Sequence, residues 1–175
     1  GKTEKVVTTI YGLKPDTEYK ITAVYAGKEY GPVEFKTDYE YVTLNVREFG
    51  AYGDGEHDDT NAIQCAIMAA PKDSRVLVPE GVYKISSIFL KDNLNLELAK
   101  GAVLSAFTER NKFPILPGQI ETYDEKDYYN LGTWEGNPLD MFSAIVCGIN
   151  CSNVTITGEG TIDGCTTHDN WWTHC

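Results

Sequence analysis

Phe49-Gly50-Ala51-Tyr52-Gly53-Asp54-Gly55-Glu56-His57-Asp58-Asp59-Thr60-Asn61-Ala62-Ile63-Gln64 sets the architecture of the chain. Leu44, Val46 and Phe49 predict a strand leading into it. Gly50, Gly53 and Gly55 let the backbone take positive φ, so the strand should end in a tight turn. Asp58-Asp59-Thr60-Asn61 then opens a helix, because an Asp carboxylate at the N-cap can accept first-turn amide hydrogens. Ala62, Ile63, Ala66, Ile67 and Ala70 follow at helical spacing, and Pro71 stops the helix. About three turns with a single apolar face predict a lid over a core, not a free-standing helix.

Downstream of the helix the period changes from helical to alternating. Val76-Leu77-Val78, Val82-Tyr83-Lys84-Ile85, Leu94-Asn95-Leu96-Glu97-Leu98 and Val103-Leu104 are short strands separated by glycine and asparagine turns. Ala144-Ile145-Val146, Val154-Thr155-Ile156 and Thr161-Ile162 continue the series. No second long helix interrupts them, which favours a β solenoid over βαβ units. Asn95-Leu96-x-Leu98 with Leu104 aligns with Asn153-Val154-x-Ile156 with Ile162, 58 residues on. With the 34 residues from 107 to 140 set aside as an insertion, 24 remain, the size of one solenoid rung. One rung cannot bury its inward residues alone, so rungs must stack. The insertion carries Pro114, Pro117 and Pro138, a Tyr123-Asp124-Glu125-Lys126-Asp127-Tyr128-Tyr129 run and Trp134-Glu135-Gly136-Asn137-Pro138. Its aromatic content predicts an ordered, packed loop with a functional role.

Upstream, residues 1–37 read as the end of a small antiparallel domain. Val6–Ile10, Tyr19–Val24 and Val33–Thr37 predict three strands, with Gly27–Gly31 as a connection. Leu13-x-Pro15-x-Thr17-x-Tyr19 resembles the tyrosine corner of a fibronectin type III domain, whose Tyr hydroxyl bonds to upstream backbone. The expected organisation is therefore 1–38 as the C-terminal part of a fibronectin type III β-sandwich, and 39–175 as the first rungs of a right-handed parallel β-helix. The whole is all-β apart from one N-terminal capping α-helix.

The formal charge of the chain is −11. That balance argues against nucleic-acid or anionic-membrane partners, which need a basic footprint. A hydrophobic fraction of 42% with 23% charged residues argues against disorder. No stretch approaches the ~18 apolar residues of a membrane span. Cys65, Cys147, Cys151, Cys165 and Cys175 are odd in number, and their spacing is not that of a standard zinc site. Free thiols packed as small hydrophobes are the expectation.

The Phe49–Gln64 segment is similar to the opening of the pectin-degrading β-helix superfamily, and Val78-Pro79-Glu80-Gly81-Val82-Tyr83 to its next rung. Asn153-Val-Thr-Ile-Thr-Gly-Glu-Gly-Thr-Ile-Asp-Gly164, closing in Trp171-Trp172, resembles the polygalacturonases of glycoside hydrolase family 28. The Trp134–Pro138 phrase and the fibronectin-like piece resemble their bacterial, exo-acting branch. The resemblance covers residues 42–172. It implies a hydrolase of α-1,4-galacturonosidic bonds in pectin or polygalacturonate that inverts the anomeric carbon without a cofactor. It implies a pectin or oligogalacturonate substrate as partner and a monomeric full-length protein. The substrate class favours a secreted or periplasmic location over the cytoplasm.

Inversion needs an acid and a base on opposite faces of the sugar, far enough apart to admit water. The family's Asn-Thr-Asp, second Asp-Asp, Gly-His-Gly and Arg-Ile-Lys motifs do not occur in the chain. Asp58-Asp59 is expected to cap a helix rather than catalyse. Asp54, Glu56 and Asp58 lack the glycine and final Glu of a calcium loop. His57 and His168 are expected to be solvated, and Asp163 to form a turn. No catalytic or metal-ligating residue is therefore assigned. The catalytic motifs are expected beyond Cys175, with this chain inactive alone. Trp134 is the one candidate substrate contact, a face for a pyranose ring, against a packed anchor as the alternative. Two other functions stay open: a pectate-lyase-like β-helix using calcium and an Arg base, and a non-catalytic carbohydrate-binding β-helix.

Overall fold

The computed structural model describes residues 1–5, 7–120, 129–171 and 173. Residues 123–128 of the acidic aromatic run, Val6, Trp172, His174 and Cys175 lie outside the described residues. The chain divides into two compact units, Gly1–Val42 and Thr43–Cys175.

The first unit is an antiparallel hairpin of β1 (Glu18–Tyr25) and β2 (Lys28–Lys36). The expected connection at 27–31 is much shorter than read. Ala26 and Gly27 turn the chain by themselves with φ of 50° and 77°, as a tight two-residue hairpin requires. Residues 7–10 form no strand. Tyr19 stacks on Phe35 across the hairpin, with ring centroids 5.8 Å apart. The Lys14 N–H donates to the Tyr19 hydroxyl oxygen at 2.7 Å.

The second unit is a parallel β-helix. Its strands are β3 (Thr43–Asn45), β4 (Asp54–Asp58), β5 (Arg75–Val78), β6 (Gly81–Ile85), β7 (Ile88–Phe89), β8 (Leu94–Leu98) and β9 (Ala102–Ala106), with α1 (Thr60–Ala69) between β4 and β5. The insertion follows as β10 (Ile115–Leu116), β11 (Gln119–Ile120), β12 (Tyr129–Asn130), β13 (Thr133–Trp134), β14 (Asn137–Pro138) and β15 (Met141–Phe142). The rungs resume with β16 (Val146–Cys147), β17 (Val154–Gly158) and β18 (Thr161–Asp163). Three parallel sheets result, in the orders β3-β5-β8-β17, β4-β6-β9-β18 and β7-β16. The insertion instead makes short antiparallel pairs: β10 with β15, β11 with β12 and β13 with β14.

Inward residues stack rung on rung. Val76 lies on Leu96 and Leu96 beside Ile156; Tyr83 lies on Leu104 and Leu104 beside Ile162. Val76, Leu96, Tyr83, Leu104, Ile85 and Ile88 are fully buried. Each alternation of in and out follows from the two-residue period of a strand.

The repeat is real, but its register differs from the sequence alignment. Leu96 pairs with Ile156, not Val154, while Leu104 pairs with Ile162 as read. A slip of two residues preserves the inward pattern, so hydropathy cannot detect it. An asparagine step marks the true register: the Asn153 amide donates to the Asn93 carbonyl oxygen at 2.9 Å, and both residues sit at φ 54°. The difference is absorbed at the next corner, where Glu159-Gly160 between the paired residues Gly158 and Thr161 replaces Ala99-Lys100-Gly101-Ala102 between Leu98 and Val103. A Cβ at Gly158 (φ 113°) would collide with the Leu98 carbonyl, so this shorter corner requires glycine.

The α1 helix closes one end of the solenoid. Ile63, Ala66 and Ile67 are fully buried in the same core as Val46 and Val76. Gln64 completes the closure: its amide donates to the Phe89 carbonyl at 2.9 Å and its oxygen accepts the Phe89 N–H at 2.7 Å. The Lys91 ammonium donates to the carbonyls of Ala70 and Met68 at the helix C-terminus, at 2.5 and 3.0 Å.

The expected strand through Phe49 ends at Asn45, whose side chain accepts the Arg47 N–H at 3.0 Å and starts a 3-10 turn over Val46–Phe49. The expected Asp59 cap is also different. Asp59 makes no side-chain bond to the helix. It is fully buried, and its two oxygens accept the N–H groups of Tyr52 and Gly53 at 2.6 and 3.0 Å. Asp58 takes the Thr60 N–H instead, at 3.1 Å. Arg47 locks the same turn, donating to the Tyr52 and Glu80 carbonyls and lying 5.6 Å from the centre of the Tyr83 ring. A Cβ on Gly53 would stand 2.7 Å from Tyr83 Cζ. The glycine-rich stretch is thus a clasp between turn, helix and first rung, closed on the buried Asp59 carboxylate.

Candidate functional site

The sheet β4-β6-β9-β18 carries polar residues on its outer face. Tyr83, Ile85, Leu104 and Ala106 point inward, so Lys84 and its register partners Asp58 and Ser105 lie on the other side. The insertion leaves from the end of β9. Phe107 is fixed there by its N–H, which donates to the Ile85 carbonyl at 2.9 Å. A 3-10 turn at Arg110–Lys112 follows. It brings the Lys112 ammonium 4.8 Å from the centre of the Phe107 ring, and Lys84 approaches the same ring at 5.5 Å. The Arg110 guanidinium lies 5.3 Å from the Trp171 ring centre. Phe113 and Phe142 meet Trp171 edge-on at 5.7 and 5.8 Å. Three cations and four aromatic rings are gathered on one flank of the solenoid.

Lys112 lies 4.0 Å from Asp58 Oδ2, at the limit of an ion pair. Beneath the insertion, the buried hydroxyls of Ser87 and Ser143 bond to each other at 2.5 Å. Ile115, Leu139, Asp140, Met141 and Phe142 line an open apolar groove on the insertion itself.

Trp134 stands on the β13–β14 hairpin, whose turn is made by Glu135 and Gly136 at φ 50° and 84°. Its side chain is 67% exposed, so it is not the packed anchor that the size of Trp favours. The structure does not bring Trp134 into contact with the cationic cluster. Asp163 accepts the Cys165 N–H at 2.8 Å and forms the expected turn, in which Cys165 sits at φ 51°. His168 is solvated, with its nearest carboxylate, Asp169, 3.7 Å away. His57 is not simply solvated: its ring stacks on Tyr52 at 4.1 Å, and Nδ1 lies 2.7 Å from Asp54 Oδ2.

Asp54 is held at about 2, well below its ordinary 3.8, chiefly by the His57 backbone N–H, then by the Glu56 N–H and the His57 ring. A carboxyl depressed in the folded state stabilises above its unfolded pKa and loses that contribution as pH falls towards 2. Asp54→Asn is therefore expected to lower the urea midpoint at pH 7 and to match the parent protein at a pH below 2.

Among the described residues, no three His, Cys, Asp or Glu side chains are close enough to share a metal ion. Cys65, Cys147, Cys151 and Cys165 are free thiols. Asp54, Asp58 and Asp163, carboxylates on the outer face, are each engaged in a local turn. Lys84, Arg110 and Lys112 were not singled out from the sequence. The signal was present as aromatic and basic residues interleaved from Phe107 to Phe113.

Residues 43–173 match the family described as rhamnogalacturonase A/epimerase, pectate lyase-like. The chain is 32% identical over 165 residues to an exo-poly-α-D-galacturonosidase of Dickeya chrysanthemi, covering 87% of this chain and 25% of that protein. It is 42% identical over 124 residues to plasmin and fibronectin-binding protein A of Streptococcus pneumoniae, covering 63% of this chain and 17% of that one. Among solved structures, the family 28 exopolygalacturonase of Yersinia enterocolitica aligns with a TM-score of 0.65 and 31% identity, over 89% of this chain and 27% of that chain. The chain thus spans about a quarter or less of the length of these relatives. The fold of the second unit is the right-handed parallel β-helix of the exopolygalacturonases.

Proposed function

The chain belongs to the rhamnogalacturonase A/epimerase, pectate lyase-like family, and from that premise we propose that it is the N-terminal part of a glycoside hydrolase acting on pectin. The bond cleaved is the α-1,4 linkage between galacturonates, attacked from a chain end with inversion. The observation that carries this reading is the likeness to an exopolygalacturonase over 89% of the chain.

The role of these residues in such an enzyme follows from their geometry. The clasp around Asp59 and the α1 lid seal the first rung. The stacked rungs fix the height and direction of the outer face on which later rungs would continue. The insertion between β9 and β16 forms a wall beside that face, and Trp134 at its hairpin offers a flat apolar surface to a pyranose. Inversion needs one carboxyl to protonate the leaving oxygen and another to activate water. The family's Asn-Thr-Asp, second Asp-Asp, Gly-His-Gly and Arg-Ile-Lys motifs do not occur in the chain, which supports placing the acid and base on further rungs and the 175 residues alone as inactive. The first unit is the remainder of a fibronectin-like spacer. The site of action is the cell exterior or periplasm, where pectin is met, and the enzyme is a monomer without nucleic-acid or membrane partners.

A second reading, a β-helix that binds without catalysis, is favoured by the relative named for binding plasmin and fibronectin. Product analysis separates the readings. Polygalacturonate treated with the whole gene product is expected to yield saturated galacturonate, first seen as the inverted anomer by NMR. An unsaturated, calcium-dependent product would instead assign a lyase. Retention of the polymer without any product would assign a binding protein.

A further inference from the structure

We propose that Trp171 is a latch: it reaches back from the turn after β18 and fixes where the insertion stands beside the solenoid. The latch itself is a property of the fold. Its effect on turnover rests on the reading of the insertion as a wall beside a substrate-bearing face.

The insertion leaves the solenoid after β9, one rung before Trp171, since β18 lies on β9 in register. Its neck is closed by the Ser143 N–H, which donates to the Pro114 carbonyl at 2.9 Å, and by the β10–β15 pair. Each ladder of the insertion is two residue pairs long, and so short a ladder is marginal by itself. Beyond the neck, an open cavity of about 560 Å³ lies between Leu116, Leu131 and Met141 of the insertion and Val146 and Ile149 of the next rung. The stance of the insertion therefore has to be set by side chains near its neck.

Trp171 is where those side chains converge. Phe113 and Phe142 meet its ring edge-on at 5.7 and 5.8 Å, and the Arg110 guanidinium lies 5.3 Å from its centre. Arg110 and Phe113 precede the neck residue Pro114, while Phe142 precedes Ser143, so one ring holds both strands of the neck. Edge-to-face pairs favour a fixed angle as well as a fixed separation, and the cation adds to the attraction. The ring is itself held in place. The Asn170 side-chain oxygen accepts the N–H groups of Thr167 and Trp171 at 2.7 and 2.5 Å, and its amide donates to the Cys165 carbonyl at 2.9 Å. Cys165 Sγ and Ser105 Oγ meet at 3.2 Å, which ties the start of this turn to β9 in the preceding rung. A wall built on one rung is thus set by a side chain from the rung after it.

Hydrogen exchange of the whole gene product, read by mass spectrometry, tests the latch. Trp171→Ala is expected to speed exchange about tenfold or more in residues 115–120 and 129–142, and to leave residues 75–98 unchanged. Asn170→Ala keeps every ring but loosens the turn that presents Trp171, and should give the same pattern. Trp171→Phe keeps a ring between Phe113 and Phe142 and should bring exchange back to within about threefold of the parent protein. On polygalacturonate, Trp171→Ala is expected to raise KM about fivefold with kcat unchanged, because a wall without its stance weakens engagement and leaves the reacting carboxyls alone. Simple loss of folded enzyme would lower the apparent kcat and leave KM as it was. Should Trp171→Ala not fold, Asn170→Ala and Phe142→Ala put the same question. Unchanged exchange at 115–120 and 129–142 in the folded variants would overturn the latch, and so would equal acceleration at 75–98. An unchanged KM in an active variant would overturn its effect on turnover. Absence of turnover by the unaltered protein counts against the hydrolase reading alone, since exchange reads the latch without it.

Discussion

Replacing Tyr83 by alanine lowers the unfolding free energy of the second unit by about 3–5 kcal/mol, the range for removing a buried aromatic. Tyr83 is the largest fully buried side chain among those described. It packs on Leu104 in the next rung, lies 5.6 Å beneath the Arg47 guanidinium, and sits against Gly53. Its hydroxyl donates to the Pro79 carbonyl at 3.0 Å. Alanine removes the ring, the cation contact and the hydrogen bond together, and the stacked rungs cannot collapse into the space without breaking register. Tyr83→Phe keeps the ring and gives up only the hydrogen bond, for about 1 kcal/mol. Urea titration at constant m-value reads both. A loss below 1 kcal/mol for the alanine variant would show that the clasp is not part of the cooperative core.

Asp59→Ala is expected to cost about 2–4 kcal/mol. The carboxylate is fully buried and accepts two backbone N–H groups, those of Tyr52 and Gly53. Removing it leaves two part-buried donors without acceptors, each costing up to about 1–3 kcal/mol, which relaxation of the turn partly recovers. Asp59→Asn keeps one acceptor oxygen and should lose about half as much. Asp58→Ala, at an exposed residue beside it, should lose under 1 kcal/mol. The contrast between adjacent aspartates is the check. Equal effects at 58 and 59 would assign both to ordinary helix capping.

Much of the second unit was legible because its physics is periodic. Inward residues recur every second position, and Pro71 and the glycine turns mark where elements stop. The same periodicity hid the register. Val154 and Ile156 are both inward and apolar, so only the Asn93–Asn153 contact and the short Glu159-Gly160 corner reveal that Leu96 pairs with Ile156. The role of Asp59 was hidden for another reason. A carboxylate before a helix reads as a cap by local preference, while its partners Tyr52 and Gly53 are chosen by the fold of the preceding turn. In the first unit, the run at 6–10 has strand composition, yet its described residues 7–10 form no strand, and composition alone does not decide pairing. The insertion was visible as a break in the repeat. Its ladders of two residues each are too short to leave a period, and the meeting of Phe107, Arg110 and Lys112 with Lys84 and Trp171 joins residues as far as 87 positions apart.

The central claim is that these rungs are the non-catalytic front of a galacturonate-releasing enzyme. The most direct measurement is release of reducing ends from polygalacturonate by the purified 175-residue chain, set beside the whole gene product at equal concentration. The account predicts free galacturonate from the whole protein and none above background from the 175 residues. Turnover by the 175-residue chain, or no turnover by the whole protein, would contradict it.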